Sequence, residues 1–189
     1  MRAIRTALFS LAILTSVGVP GFGQNTRRFD IAAEYMAQHA DRANTSQSFT
    51  LQGGSLEAAM GLRNGVGIAA TFSGTHAGSI GQAAVPLSLV VFSAGPRYRY
   101  VRGRFSPYGE ALFGYARGFD STFPSGNSAA PSAGSAAVQL DAGLDIAVKY
   151  HMRVRALDIG WLHTAMPNGT NNVQNNLSIG AGVVFSFGR

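Results

Sequence analysis

Residues 174–187, Gln-Asn-Asn-Leu-Ser-Ile-Gly-Ala-Gly-Val-Val-Phe-Ser-Phe, alternate between two faces. Leu177, Ile179, Ala181, Val183, Phe185 and Phe187 fall on one face, and Asn176, Ser178, Gly180, Gly182 and Ser186 on the other. Only Val184 breaks the pattern. A period of two is the signature of a strand with two unlike faces. It recurs upstream. Val138, Leu140, Ala142, Leu144, Ile146 and Val148 alternate with Gln139, Asp141, Gly143, Asp145, Ala147 and Lys149. Phe29, Ile31, Ala33 and Tyr35 alternate with Asp30, Ala32, Glu34 and Met36.

Extending the pattern predicts eight strands, over 27–38, 48–62, 66–75, 87–100, 106–118, 135–149, 153–163 and 174–187. Each approaches or exceeds the roughly 9–11 residues with which a tilted strand crosses a bilayer. The connections alternate in length. Arg63-Asn64-Gly65 carries an Asn-Gly pair suited to a tight hairpin. Val101–Phe105 and Tyr150–Met152 are also short, whereas Ala40–Gln47, His76–Pro86, Phe119–Gly134 and Thr164–Val173 are long, polar and rich in Ser, Gly, Asn and Pro. Long loops of this composition are expected to be mobile. Short turns at one end and long loops at the other describe an up-and-down transmembrane barrel with both termini on the short-turn, periplasmic side.

Composition agrees. Only 13% of the chain is charged against 46% hydrophobic, and Gly 24 runs throughout. Soluble domains carry about 25% charge. From Asn64 to Pro96 there is no Asp, Glu, Lys or Arg, yet Gly, Ser, Thr and Pro interrupt that segment throughout, and the mature part has no apolar run long enough for a spanning helix. A membrane-like composition without helical spans leaves the closed barrel as the other permitted spanning structure. With Cys 0 there is no disulfide framework and no thiol chemistry.

The N-terminus reads as a targeting segment. Met1–Arg5 is short and basic, Thr6–Val19 is uncharged and apolar, and Gly21-Phe22-Gly23 puts small residues before a cut at Gln24. That is the layout of a secretory signal peptide. Residues 1–23 are therefore expected to be removed and 24–189 to form one barrel domain.

Alternation does not say which face looks outward. Three features do. The polar face is mostly small residues, which suit a narrow lumen. Its charges come in both signs: Asp30, Glu34, Glu57, Glu110, Asp141, Asp145 and Asp158 against Arg63, Arg97, Arg99 and Lys149. An eight-stranded barrel is just wide enough for side chains to fill it, so such charges can pair and shut the lumen. The apolar face of the last strand runs to Phe187 with no outward charge. A soluble ligand-binding barrel would be apolar within; a narrow pore for ions or very small solutes is the other alternative.

Aromatic residues gather at strand ends. Tyr98, Tyr100, Tyr108, Tyr150 and Phe187 are expected near the periplasmic interface, and Tyr35, Phe72, Tyr115 and Trp161 near the outer one. Removing Arg2 and Arg5 from the fifteen Lys+Arg, against nine Asp+Glu, leaves +4. Most of the other cations, Arg153 and Arg155 among them, map to the short-turn side, where anionic lipid heads would attract them. Nothing interleaves them with aromatics on a groove, so no nucleic-acid partner is expected.

The chain resembles the small OmpA/OmpX-type outer-membrane β-barrel family over essentially its whole mature length. Gly95-Pro96-Arg97-Tyr98 with Phe105–Gly114 is similar to that family's fourth-to-fifth-strand hairpin. Val154–Asp158, Thr164, Pro167–Asn172 and Gln174–Leu177 are similar to its last hairpin. The ending Ala181–Phe187 resembles the strand read by the barrel-assembly machinery, with Val183, Phe185 and Phe187 as its signal. Here Gly188-Arg189 follow the final aromatic, and Gly160 stands where relatives often carry an acidic residue. The resemblance implies a monomer in contact with outer-membrane lipids and lipopolysaccharide. It does not imply one function, because such folds host several.

Other chemistry finds little footing. Gly65-Val66-Gly67-Ile68-Ala69-Ala70 fits a dinucleotide fingerprint formally but opens a strand, not a helix. His39, His76, His151 and His163 lack metal-ligand spacing. Asn44-Thr45-Ser46 and Asn168-Gly169-Thr170 match a glycosylation pattern but read as turn chemistry. His163 and Thr164 lie near the outer level, yet no Ser–His–acid set at matching strand positions can be named. No cofactor, metal or enzymatic activity is expected. The expectation is a structural, surface-contact protein of the envelope.

Overall fold

The last alternating stretch closes the molecule. In the computed structural model β8 (Gln174–Phe187) pairs antiparallel with β1 (Phe29–Asp41), from Phe29↔Phe187 to Ala40↔Asn176. Between them follow β2 (Ser48–Arg63), β3 (Val66–Ile80), β4 (Val85–Arg99), β5 (Phe105–Ser125), β6 (Ser128–Lys149) and β7 (Met152–Thr164), each paired antiparallel with its sequence neighbour. The result is an all-β, eight-stranded, up-and-down closed barrel. The structure describes residues 28–41, 48–80, 85–125, 128–169 and 171–188; the expected signal peptide at 1–23 lies outside them.

The tight turns follow from local chemistry. Asn64 and Gly65 both take positive φ, 52° and 82°, as a two-residue turn matched to strand twist requires. Gly103 (φ 60°) serves the β4–β5 turn, where Arg102 bridges Phe105.

At the other end the strands run further than the sequence suggests. The described residues of the segment Phe119–Gly134 are strand rather than loop. β5 and β6 continue as a two-stranded ribbon from Phe119↔Ser132 to Ser125↔Ser128. Asp120 (φ 61°) sits in a bulge that shifts the register between Phe119 and Phe123. β4 leaves off at Ser88↔Phe119, so the ribbon has a free edge, and Pro124 and Pro131 are tolerated there. β3 likewise runs through His76 to Ile80, and β1 through Ala40 to Asp41.

Between β7 and β8 the chain turns on Asn168. Its Oδ1 accepts the backbone N–H groups of Asn171 (3.2 Å) and Asn172 (3.0 Å), and its Nδ2 donates to Val173 O (3.2 Å). Just before it, Met166 is 2% exposed and packs into the barrel mouth.

The two faces are unlike. Phe29, Ile31, Tyr35, Leu56, Ile68, Phe72, Phe92, Phe113, Tyr115, Leu140, Ile159, Leu177, Ile179 and Phe185 point outward and are exposed. Asp30, Glu57, Arg97, Glu110, Asp145, Arg153 and Arg155 point inward and are buried. The polarity is the reverse of a water-soluble domain.

Candidate functional site

The lumen is the candidate site, and it is layered along the barrel axis. Its middle is an ion network built from every second residue of β1, β2, β4, β5, β6 and β7. Arg155, 1% exposed, is the hub. Its Nε donates to Asp145 Oδ1 (2.9 Å), its Nη1 to Glu34 Oε1 (2.5 Å) and Glu57 Oε2 (2.9 Å), and its Nη2 to Glu57 Oε1 (3.2 Å). Arg97 Nη1 donates to Glu57 and lies 2.8 Å from Glu110 Oε1, with Nη2 3.6 Å from Asp145. A buried guanidinium requires partners of this kind, since an uncompensated buried charge costs several kcal/mol.

Tyr108 ties the two arginines together. Both stack on its ring, with guanidinium carbons 4.2 Å (Arg97) and 4.3 Å (Arg155) from the centroid. Its hydroxyl donates to Asp158. Gly143 pairs directly opposite Tyr108, and a Cβ there would fall 2.5 Å from the Tyr108 oxygen. The absent side chain is what admits the ring. Tyr108 was expected at the periplasmic belt; it is 5% exposed and inside the barrel, because its strand position shares the inward parity of Ser106 and Glu110. Gly160 has a similar role: a Cβ would meet Asp141 Oδ1 and Ser178 Oγ, each at 2.5 Å.

Towards the loop end the charges give way to amides and hydroxyls. Thr75 donates to Gln38 (3.3 Å), Ser93 to Gln139 (3.1 Å), and Gln139 to Asp141 (2.8 Å). A void of about 20 Å³ remains between these layers, near the size of one water. Above them Leu51, Leu89, Val91, Phe123, Leu162 and Met166 form an apolar plug. A cup of about 320 Å³ opens on top of it, lined in part by Phe49, Leu87, Asn168 and Asn176.

Towards the tight turns three guanidiniums meet one carboxylate. Asp30 Oδ1 lies 3.5 Å from Arg28 Nε and 2.8 Å from Arg153 Nη2, and Asp30 Oδ2 accepts from Arg99.

These placements revise the expected charge set. Glu34, Glu57, Arg97, Arg99, Glu110, Asp141, Asp145 and Asp158 lie within the barrel. Arg63 and Lys149 do not join them. Both share the inward parity but end their strands at tight turns, where they are exposed. Arg153 and Arg155, assigned to the rim, are instead buried. Their alternation with Val154 was the available signal. A register shift between Arg155 and Asp158 hid it, because it allows both residues to face inward across an odd interval.

The outer wall holds a set that sequence reading did not find. His76 Nδ1 is 2.9 Å from Ser88 Oγ, and Ser88 Oγ donates to Asp120 Oδ2 at 2.7 Å. His76 and Asp120 fall in segments read as loops, so their strand partners were not visible. The order is acid–serine–histidine. In a hydrolytic triad the acid holds the imidazole and the imidazole takes the serine proton; here the serine proton goes to the carboxylate. Val183, Phe185 and Phe187 point outward on β8, opposite Ala33, Ile31 and Phe29, and the Phe29 and Phe187 rings lie 6.3 Å apart.

No family model and no curated protein matches the sequence. Solved structures do match in fold. Neisserial surface protein A superposes with a TM-score of 0.67 at 17% identity, over 84% of this chain and 97% of that one. Ail, the attachment invasion locus protein of Yersinia pestis, solved with the heparin analogue sucrose octasulfate, gives 0.56 at 18% over 84% and 99%. OprG of Pseudomonas aeruginosa gives 0.52 at 11% over 85% and 95%. The fold is that of the small OmpA/OmpX-type outer-membrane barrels.

Proposed function

We propose that this protein is a monomeric integral barrel of the bacterial outer membrane, non-enzymatic, with a shut lumen and a structural, surface-contact role in the envelope. The observation that carries the reading is the inverted polarity of the wall. Rings and aliphatic side chains such as Phe113 (61% exposed), Phe92 (58%) and Leu177 (58%) form its outside, while Arg155 and Asp145 are fully buried inside. In water that outer surface would drive association; in a bilayer it matches the solvent.

In this reading both termini and the tight turns are periplasmic, and the β5–β6 ribbon and the cup face the exterior. Outer-membrane lipids and lipopolysaccharide are the partners of the wall. Val183, Phe185 and Phe187 are the face offered to the barrel-assembly machinery. The ion network and the apolar plug are two successive barriers across the lumen, which supports a scaffold over a pore.

The test is extraction and electrophoresis. The protein should require detergent to leave the membrane fraction and should change migration on a gel only after boiling. Extraction into plain buffer would defeat the membrane assignment. Purified protein in planar bilayers should show no reproducible openings; steady unitary conductance would replace the closed barrel with the narrow-pore reading.

A further inference from the structure

At the tight-turn end a cavity of about 240 Å³ opens between the β2–β3 hairpin and the start of β1, and Arg28, Arg63, Arg97 and Arg99 line it against a single carboxylate, Asp30. Arg97 is committed deeper in, to Glu57 and Glu110. The others are not balanced. Arg28, Arg99 and Arg153 all converge on Asp30, and Arg63 at the rim adds a fourth positive charge.

The shortfall is greatest at Arg153. Its side chain is 3% exposed, and it meets carboxylates at ion-pair range only, Asp30 Oδ1 2.8 Å from Nη2 and Asp145 Oδ2 3.9 Å from Nε, both shared with other arginines. Asp30 brings one negative charge to three guanidiniums and leaves the cluster net positive. A second anion held by Arg28 and Arg99 would release Asp30 to Arg153. Three guanidiniums that share one carboxylate leave positive charge uncompensated, so the arrangement favours an anion from outside.

We propose that this cavity binds a phosphate group. Guanidinium forks bind tetrahedral oxyanions through paired N–H donors. Arg28, Arg63 and Arg99 approach from three separate strand ends, which suits an anion with three or four oxygens better than a two-oxygen carboxylate. Arg28 keeps 38% of its side chain exposed and Arg99 keeps 11%, so both are reachable. Leu62 (45% exposed) and Val66 (48%) border the same cavity. The phosphate can therefore come from a free ion or from the headgroup of an anionic phospholipid whose chains rest on that border.

The refolded, ¹⁵N-labelled protein in dodecyl maltoside micelles tests this at constant ionic strength in chloride. Inorganic phosphate is titrated in one arm; phosphatidylglycerol, with phosphatidylcholine as comparison, is doped into the micelles in another. The Arg99 Nε and the Asn64 and Gly65 amide resonances should move saturably. If free phosphate is the ligand, phosphate alone saturates the shift and phosphatidylglycerol does not displace it. If the headgroup is the ligand, phosphatidylglycerol produces the shift, phosphatidylcholine does not, and phosphate competes only weakly.

The double variant R28A/R63A removes two accessible cations and leaves Arg99, Arg153 and Asp30 in place. It should weaken binding about tenfold or more. R117A, which removes one exposed cation at the loop end, should leave binding unchanged. Should R28A/R63A refold poorly, R63Q alone, at an exposed turn position, should still weaken binding. No saturable shift in either arm, or equal weakening by R117A, would overturn the proposal.

Discussion

The guanidinium carbon of Arg155 lies 4.3 Å from the centroid of the Tyr108 ring, and that of Arg97 lies 4.2 Å from it. One phenol thus takes two cations on its ring in the middle of the barrel while its hydroxyl engages Asp158. Tyr108→Phe keeps the ring and removes the donor, so it should lower stability by about 1–3 kcal/mol. Tyr108→Ala also removes a buried ring and its two cation contacts and leaves a void, and should cost about 3–5 kcal/mol. Urea unfolding in lipid vesicles, followed by the fluorescence of Trp161, the one tryptophan in the chain, measures both.

Arg155 holds Glu34, Glu57 and Asp145 together. Arg155→Met should cost about 3–5 kcal/mol near neutral pH, because three carboxylates lose their shared cation. The defect has a sign with pH. Protonation neutralises the stranded carboxylates, so the gap between variant and parent should narrow as pH falls through the carboxylate range. Unfolding midpoints at pH 7 and pH 4 decide it; a gap that widens in acid would contradict the ion-network account.

Gly143 and Gly109 offer a matched pair. A Cβ on Gly143 would stand 2.5 Å from the Tyr108 oxygen and 2.6 Å from the Leu157 carbonyl, whereas on Gly109 the nearest atom is 3.8 Å away. Gly143→Ala should destabilise by about 1–3 kcal/mol through overpacking. Gly109→Ala should be close to neutral. Equal effects of the two substitutions in the same unfolding assay would remove the steric role assigned to Gly143.

Phe113 separates the membrane reading from a soluble one. It is 61% exposed and sits mid-barrel, opposite Ala94 and Val138. Phe113→Arg should cost about 2–4 kcal/mol in a bilayer, as charge does on a lipid-facing wall near the midplane. On a water-facing wall the same change would be almost free. Comparing folded fractions in vesicles distinguishes the two.

Strand number, order and sidedness were legible because a period of two states both the element and its faces. Residues 174–187 show it completely: Leu177, Ile179 and Phe185 are outward and exposed, and Asn176, Val184 and Ser186 inward and buried. Even Val184, which breaks the polarity pattern, keeps its parity. The long connections were less legible. Ser and Pro between Phe119 and Gly134 read as loop by composition, yet the described residues there run as a ribbon whose free edge makes them harmless. That extension carried Asp120 to Ser88, and with it the outer-wall cluster.

Alternation along each strand, a local property of successive side chains, determined that this is a barrel with charges within and rings without. Which charges meet was decided only by closure. Arg155 and Glu34 are 121 residues apart in sequence, and Arg155 and Glu57 are 98. They touch because pairing of β1 with β8 closes the ring and brings the inward-facing Arg155 of β7 across the lumen from β1 and β2. Tyr108 joined them for the same reason. A parity of two says that a side chain points inward, but its height along the axis, and so its partners, depends on the registers of all eight strands together.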